Sequence, residues 1–84
     1  MDEKPIGKVT HFYSKLGVAI IKLAAPLAVG ETIHAQGATT DFTQTVESMQ
    51  IEHESVQKAG KGDVVGIKVA DKVREHDLVT KVEG

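Results

Sequence analysis

Eighty-four residues, 40% hydrophobic and 26% charged, make an ordinary globular balance that excludes a disordered chain and leaves room for one domain with one modest core. A formal net charge of −2 gives no whole-molecule attraction to nucleic acid, and the absence of cysteine removes disulfides, thiolate nucleophiles and cysteine metal knuckles. The longest apolar runs, residues 16–21 and 23–29, are too short to cross a bilayer, and Met1-Asp2-Glu3-Lys4-Pro5 lacks the basic-then-apolar pattern of an export signal; a cytoplasmic protein without a membrane partner is expected.

Residues 1–5 read as a flexible N-terminal tail and 6–82 as a single domain. Residues 6–13 are rich in β-branched and aromatic side chains and end at Ser14-Lys15-Leu16-Gly17, which predicts a strand and a turn with Gly17 at positive φ. Residues 18–23 are apolar on both parities and predict the second strand of a hairpin, one face in the core and the other beneath a loop. Pro26 cannot donate to a ladder, so residues 24–29 read as a connection laying Leu27 and Val29 over one end of the core. Gly30 turns the chain into a strand over 32–36, with Ile33 and Ala35 inward and His34 outward.

Residues 41–56 support two readings. Val46, Met49, His53 and Val56 fall at helical spacing, but Ile51 spoils that stripe. As a strand, Phe42 and Val46 share one parity and Met49 and Ile51 the other, which calls for a β-bulge near Glu47-Ser48. Gly60-Lys61-Gly62-Asp63 is turn chemistry, residues 64–69 are the clearest strand, and 78–82 form a last short one. Short strands between turn signals predict an all-β fold, a closed six-stranded Greek-key-type barrel without exposed edges. Gly17, Gly30, Gly62 and Gly66 are its expected structural turns, with Gly66 also allowing close backbone approach.

The ordered series Gly7-Lys8-Val9, a hairpin, Leu27-Ala28-Val29-Gly30-Glu31-Thr32-Ile33, Thr45-Val46-Glu47-Ser48-Met49, Ala59-Gly60-Lys61-Gly62-Asp63-Val64-Val65-Gly66-Ile67 and Asp77-Leu78-Val79 resembles domain II of translational GTPases of the elongation factor Tu type. The match runs from about Ile6 to Val82. One departure is His76-Asp77, where that family usually has Gly-Asp; another is the lack of any G-x-x-x-x-G-K-[ST] phosphate loop, which excludes GTP hydrolysis and a nucleotide cofactor. The resemblance implies a standalone translation factor-like module that contacts transfer or ribosomal RNA, or a translation or RNA-modification protein. A similar barrel also closes the C-terminus of some collagenase-like peptidases linked to RNA modification. The alternative is a protein-interaction or assembly module without RNA binding, motivated by the acidic overall charge.

By position, the resemblance implies that Met49, Gln50 and Glu52 border a pocket for the aminoacyl end of transfer RNA, with Gln50 replacing a usual acid. Lys58, Lys61 and Lys68, part of a basic stretch running to Arg74, are candidates for phosphate contact. His11 and Tyr13, with Phe12 between them, are candidates for stacking on a base; Phe12 as core and Tyr13 as rim is the competing reading. His11, His34, His53 and His76 show no paired ligand spacing, and no serine sits in a nucleophile elbow. No catalytic group, metal or cofactor is therefore expected.

Overall fold

The computed structural model describes residues 5–82. Within them the chain is all β, in ten strands and without a helix. The expected tail lies outside the described residues except for Pro5, which opens the first strand.

Strands β1 (Pro5–Tyr13) and β2 (Val18–Leu23) form the expected hairpin, with Gly17 at φ 66° in its turn. Strand β3 (Leu27–Ala28) pairs with β8 (Lys58–Ala59) as a separate two-stranded sheet, and this seats Leu27 fully in the core. Strand β4 (Thr32–Gln36) pairs with β5 (Asp41–Thr45), while β6 (Met49–Ile51) turns into the two-residue β7 (Glu54–Ser55). Strands β9 (Val64–Lys68) and β10 (Leu78–Val82) complete the large antiparallel sheet, whose order is β5-β4-β10-β1-β2-β9-β6-β7. The first and last strands lie side by side, Pro5 opposite Thr80.

Alternation drives this sheet to curl around one core. Val9, Ile21, Ile33, Val65, Ile67 and Val79 face inward and are almost wholly buried, while their neighbours in sequence, apart from the buried Thr80, are more exposed. Phe12 and Phe42 pack against the same cluster from its margins, so Phe12 is a core-flanking residue.

The sheet is curled but not closed, which corrects the expected six-stranded barrel: the eight-strand ladder has two ends, β5 and β7. Residues 41–51 are also not one bulged strand. Val46 leaves the ladder to exchange 2.8 Å backbone bonds with Gly30 and Glu31, and the chain then changes partner, from β4 before Val46 to β9 after Ser48. The inward positions come out as the parities required, with Val46 and Met49 buried, but a change of partner rather than an inserted residue reconciles them.

Between β5 and the end of β9 a side chain stands in for the missing ladder. The Gln44 amide donates to the Lys68 carbonyl at 2.9 Å and accepts from the Ala70 N–H at 2.6 Å, as a backbone neighbour would.

Three glycines meet the turn expectation: Gly17, Gly30 and Gly62 have φ of 66°, 98° and 90°. Gly66 does not bring two backbones together; the nearest backbone atom to a Cβ there would be 4.0 Å away, and its neighbours are the Val18 and Ile20 side chains. The tight approaches are elsewhere. A Cβ on Gly7 would meet Ile21 Cγ2 at 2.7 Å, and one on Gly37 would overlap the carboxylate of the buried Asp77.

Candidate functional site

Residues directly opposite one another on paired strands share a face. The outward face of β1, β2, β9 and β6 therefore carries one cross-strand row His11–Ile20–Gly66–Gln50 and a second row Tyr13–Val18–Lys68. His11, Tyr13, Gln50 and Lys68, four of the eight candidate site residues, thus share one surface. The His11 and Tyr13 rings lie tilted at 4.4 Å between centroids, and His11 Nδ1 faces Glu75 at 3.8 Å.

The other four do not join them. Met49 is 1% exposed and faces the core opposite Ile67, so it cannot border a pocket; alternation within β6 sends it inward as it sends Gln50 outward. Glu52 and His53 form the two-residue turn between β6 and β7, with φ of 51° and 67°. Positive φ at both central positions is the pattern of a type I′ hairpin turn. His53 therefore sits at a loop tip, not mid-strand between two glutamates. Lys58 belongs to the small sheet and Lys61 to the exposed turn before β9, so neither is part of the two rows. Among the described residues no cluster of histidine and carboxylate side chains could hold a metal ion.

A polar concavity of about 430 Å³ lies between two connections that the sequence analysis did not single out. The β4–β5 connection supplies Thr39, Thr40, Asp41 and Phe42, and the β9–β10 connection supplies Asp71, Lys72 and Arg74. Each connection is braced by a bond of its own, and the β9–β10 connection is also tied to β1 through Val9. Gly37 N–H donates to the Thr40 carbonyl at 2.8 Å, and Asp77, 6% exposed, accepts from the Arg74 N–H at 2.8 Å. The carboxylate of Asp77 fits only because residue 37 has no side chain. His76, at φ 76°, donates its N–H to Val9 and completes the turn.

Two carboxylates of the cleft are already engaged. Asp41 holds His34 Nε2 at 2.6 Å across β4 and β5, and Asp71 accepts from the Lys72 N–H at 2.7 Å. Arg74 and Lys72 line the same cleft with Thr39, Thr40 and Phe42. A planar guanidinium and an ammonium beside hydroxyls suit an anionic oxygen group such as a carboxylate or a phosphate. The only sequence signal for this cleft was the polar run through Asp71 and Glu75, which looks the same when merely solvated.

Comparison with known proteins gives a consistent picture. No protein-family model matches the chain. It is 47% identical over 75 residues, 88% of its length, to an uncharacterized protease of Methanocaldococcus jannaschii, and 38% identical over 80 residues, 93% of its length, to a collagenase of Porphyromonas gingivalis. The chain spans only 18% and 22% of the length of these two relatives. Its fold superposes with a TM-score of 0.89 on the crystal structure of the C-terminal domain of a Geobacillus thermoleovorans protein assigned to the U32 peptidases, at 20% identity, covering 93% of this chain and 99% of that domain.

These findings correct the translation-factor reading. The relatives are named protease and collagenase, the structural neighbour is a U32 peptidase C-terminal domain, and the sheet is left open. The glycine-punctuated series Gly30-Glu31, Gly62-Asp63 and Asp77-Leu78-Val79 records tight turns between short strands, a pattern that unrelated small β folds share. With the resemblance falls the function drawn from it, a translation factor-like or RNA-binding module with an assembly module as its alternative. Among the described residues no helix is long and apolar enough to cross a membrane.

Proposed function

We propose that this chain is a U32-peptidase-type accessory domain, the counterpart of the C-terminal domain of those proteins, and that it serves polypeptide hydrolysis carried out by a separate catalytic unit. The supporting observation is the extent of the match: strong identity runs through 88% of the chain yet occupies only 18% of a protease's length, and the fold matches a C-terminal domain crystallised alone. A segment of that size is a domain's worth of chain, and its partner functions reside in the rest of the relative. Within that role the cleft around Arg74 and Lys72 supplies polar contacts to substrate main-chain or carboxylate groups, and the rigid sheet keeps both connecting segments in place.

A domain exchange in the Porphyromonas gingivalis collagenase tests this. Deleting its matching segment should abolish or sharply reduce collagen hydrolysis, replacing the segment with this chain should restore it, and the 84-residue chain alone should cleave nothing. A deletion mutant as active as the parent, or a folded chimera as inactive as the deletion, would refute the accessory role. Hydrolysis by the isolated chain would show that the catalytic groups lie here instead.

A further inference from the structure

The outward face carries a third cross-strand row that the cleft does not involve. Leu78 of β10 lies opposite Lys8 of β1, Lys8 opposite Lys22 of β2, and Lys22 opposite Val64 of β9. All four point to solvent. Leu78 is 43% and Val64 48% exposed, and they are two of the four large apolar side chains exposed on the described surface. Lys8, Lys22 and Leu78 also line a shallow, mainly apolar groove of about 320 Å³, together with Gly7 and Leu23.

Two lysines directly opposite one another on adjacent strands repel, and a fold selected for stability alone has no reason to place them there. Neither Lys8 nor Lys22 takes part in an ion pair among the described residues. The acids that adjoin the row in sequence are committed elsewhere. Asp63, before Val64, accepts from the Gly60 N–H at 2.8 Å, and Asp77, before Leu78, is buried against Arg74 N. The chain as a whole is acidic, so this doublet is not the overflow of a basic composition.

We propose that the row Leu78–Lys8–Lys22–Val64 is a binding site for an acidic polypeptide segment with an apolar residue two positions to either side of a central carboxylate. The paired ammonium groups would share that carboxylate, and Leu78 and Val64 would cover the two apolar side chains, since alternate residues of an extended segment share a face. Three inter-strand steps of about 4.8 Å make the row roughly 14 Å long, and an extended pentapeptide places its end residues roughly 13 Å apart. A nucleic-acid strand fits less well, because the doublet is bounded by aliphatic side chains and the row contains no aromatic ring for a base to stack on. This site is independent of the peptidase-domain reading, since it rests on strand register and charge alone.

The test uses the full chain and a fluorescein-labelled peptide with the core Leu-Glu-Glu-Glu-Leu, followed by anisotropy at low and at high salt. Saturable, salt-weakened binding is expected, with little or none for the Leu-Lys-Lys-Lys-Leu analogue. Lys8→Glu should weaken binding about tenfold or more through loss of a charged contact, while raising the Tm by turning a like-charge pair into an opposite one. Leu78→Ser should weaken binding without changing its salt dependence. Failure of the wild-type chain to bind the acidic peptide, equal binding of the lysine analogue, unchanged binding by Lys8→Glu, or preference for a single-stranded oligonucleotide over the peptide would each overturn the proposal. The collagenase exchange can succeed or fail whatever this experiment returns.

Discussion

Replacing Gly37 with alanine drives a methyl group into the carboxylate that anchors the cleft. A Cβ at this position lies 2.6 Å from Asp77 Cγ, well inside van der Waals contact, so the carboxylate has to move. Asp77 is 6% exposed, and its carboxylate accepts from the Arg74 N–H at 2.8 Å, a bond that the displacement breaks. A charged hydrogen bond contributes about 1.5–3 kcal/mol and overpacking costs about 1–3 kcal/mol, which together predict a loss of about 2.5–6 kcal/mol. For a domain of this size each kcal/mol moves the Tm by roughly 4–8 °C, so a drop of roughly 10 °C or more is expected. Urea denaturation followed by circular dichroism measures it, with Asp77→Ala and the double variant completing the cycle. Because the second substitution removes the group that clashes, the two losses should be far from additive. Near-additive losses, or a single variant within about 1 kcal/mol of the parent, a typical effect for a point mutation, would refute the reasoning.

Gln44→Ala removes the amide that clasps Lys68 and Ala70; a loss of about 1–2 kcal/mol is expected. Faster amide exchange at Ala70 in the variant would locate that loss at the seam. Exchanging the turn residues through Glu52→Asn and His53→Gly should stabilise the domain by about 0.5–1 kcal/mol, because Asn-Gly suits positive φ at both positions; a lower urea midpoint would contradict the turn assignment. Met49→Ala should cost about 2–5 kcal/mol as a core truncation, whereas Gln50→Ala on the opposite face should leave the midpoint nearly unchanged. In the collagenase chimera, Lys72→Glu with Arg74→Glu should raise KM for collagen peptides while a thermal melt shows the fold intact; unchanged KM would remove the cleft from substrate handling.

Local pattern made much of the sheet readable. Residues 18–23, 32–36 and 78–82 coincide with β2, β4 and β10, and the alternation of Ile33, His34 and Ala35 gave the right faces. Pairing partners were less legible, because they depend on contacts between distant parts of the chain. Phe42 and Met49 sit seven positions apart, yet their strands join opposite ends of the ladder, and nothing in the intervening Val46-Glu47-Ser48 announces a change of neighbour. The turn at Glu52-His53 escaped for a different reason: it lacks the glycine or asparagine that normally signals positive φ. The cleft depends on Asp77 finding space over Gly37, forty residues away in the chain, which no spacing rule encodes. Of the proposed site residues, the outward set His11, Tyr13, Gln50 and Lys68 was recoverable by parity once the register was known, and Met49 was misplaced by carrying over another family's pocket.

The pairing of Pro5 with Thr80 means that the chain enters and leaves the sheet at one corner. A unit built this way can hang from a host protein by a single stalk or be spliced into a surface loop, because neither junction has to thread across its core. By the same geometry, bridging the two ends with a short flexible linker and cutting the chain at the Glu52-His53 tip would yield a circular permutant with the same inward-facing side chains, the old entrance and exit now serving as an ordinary hairpin.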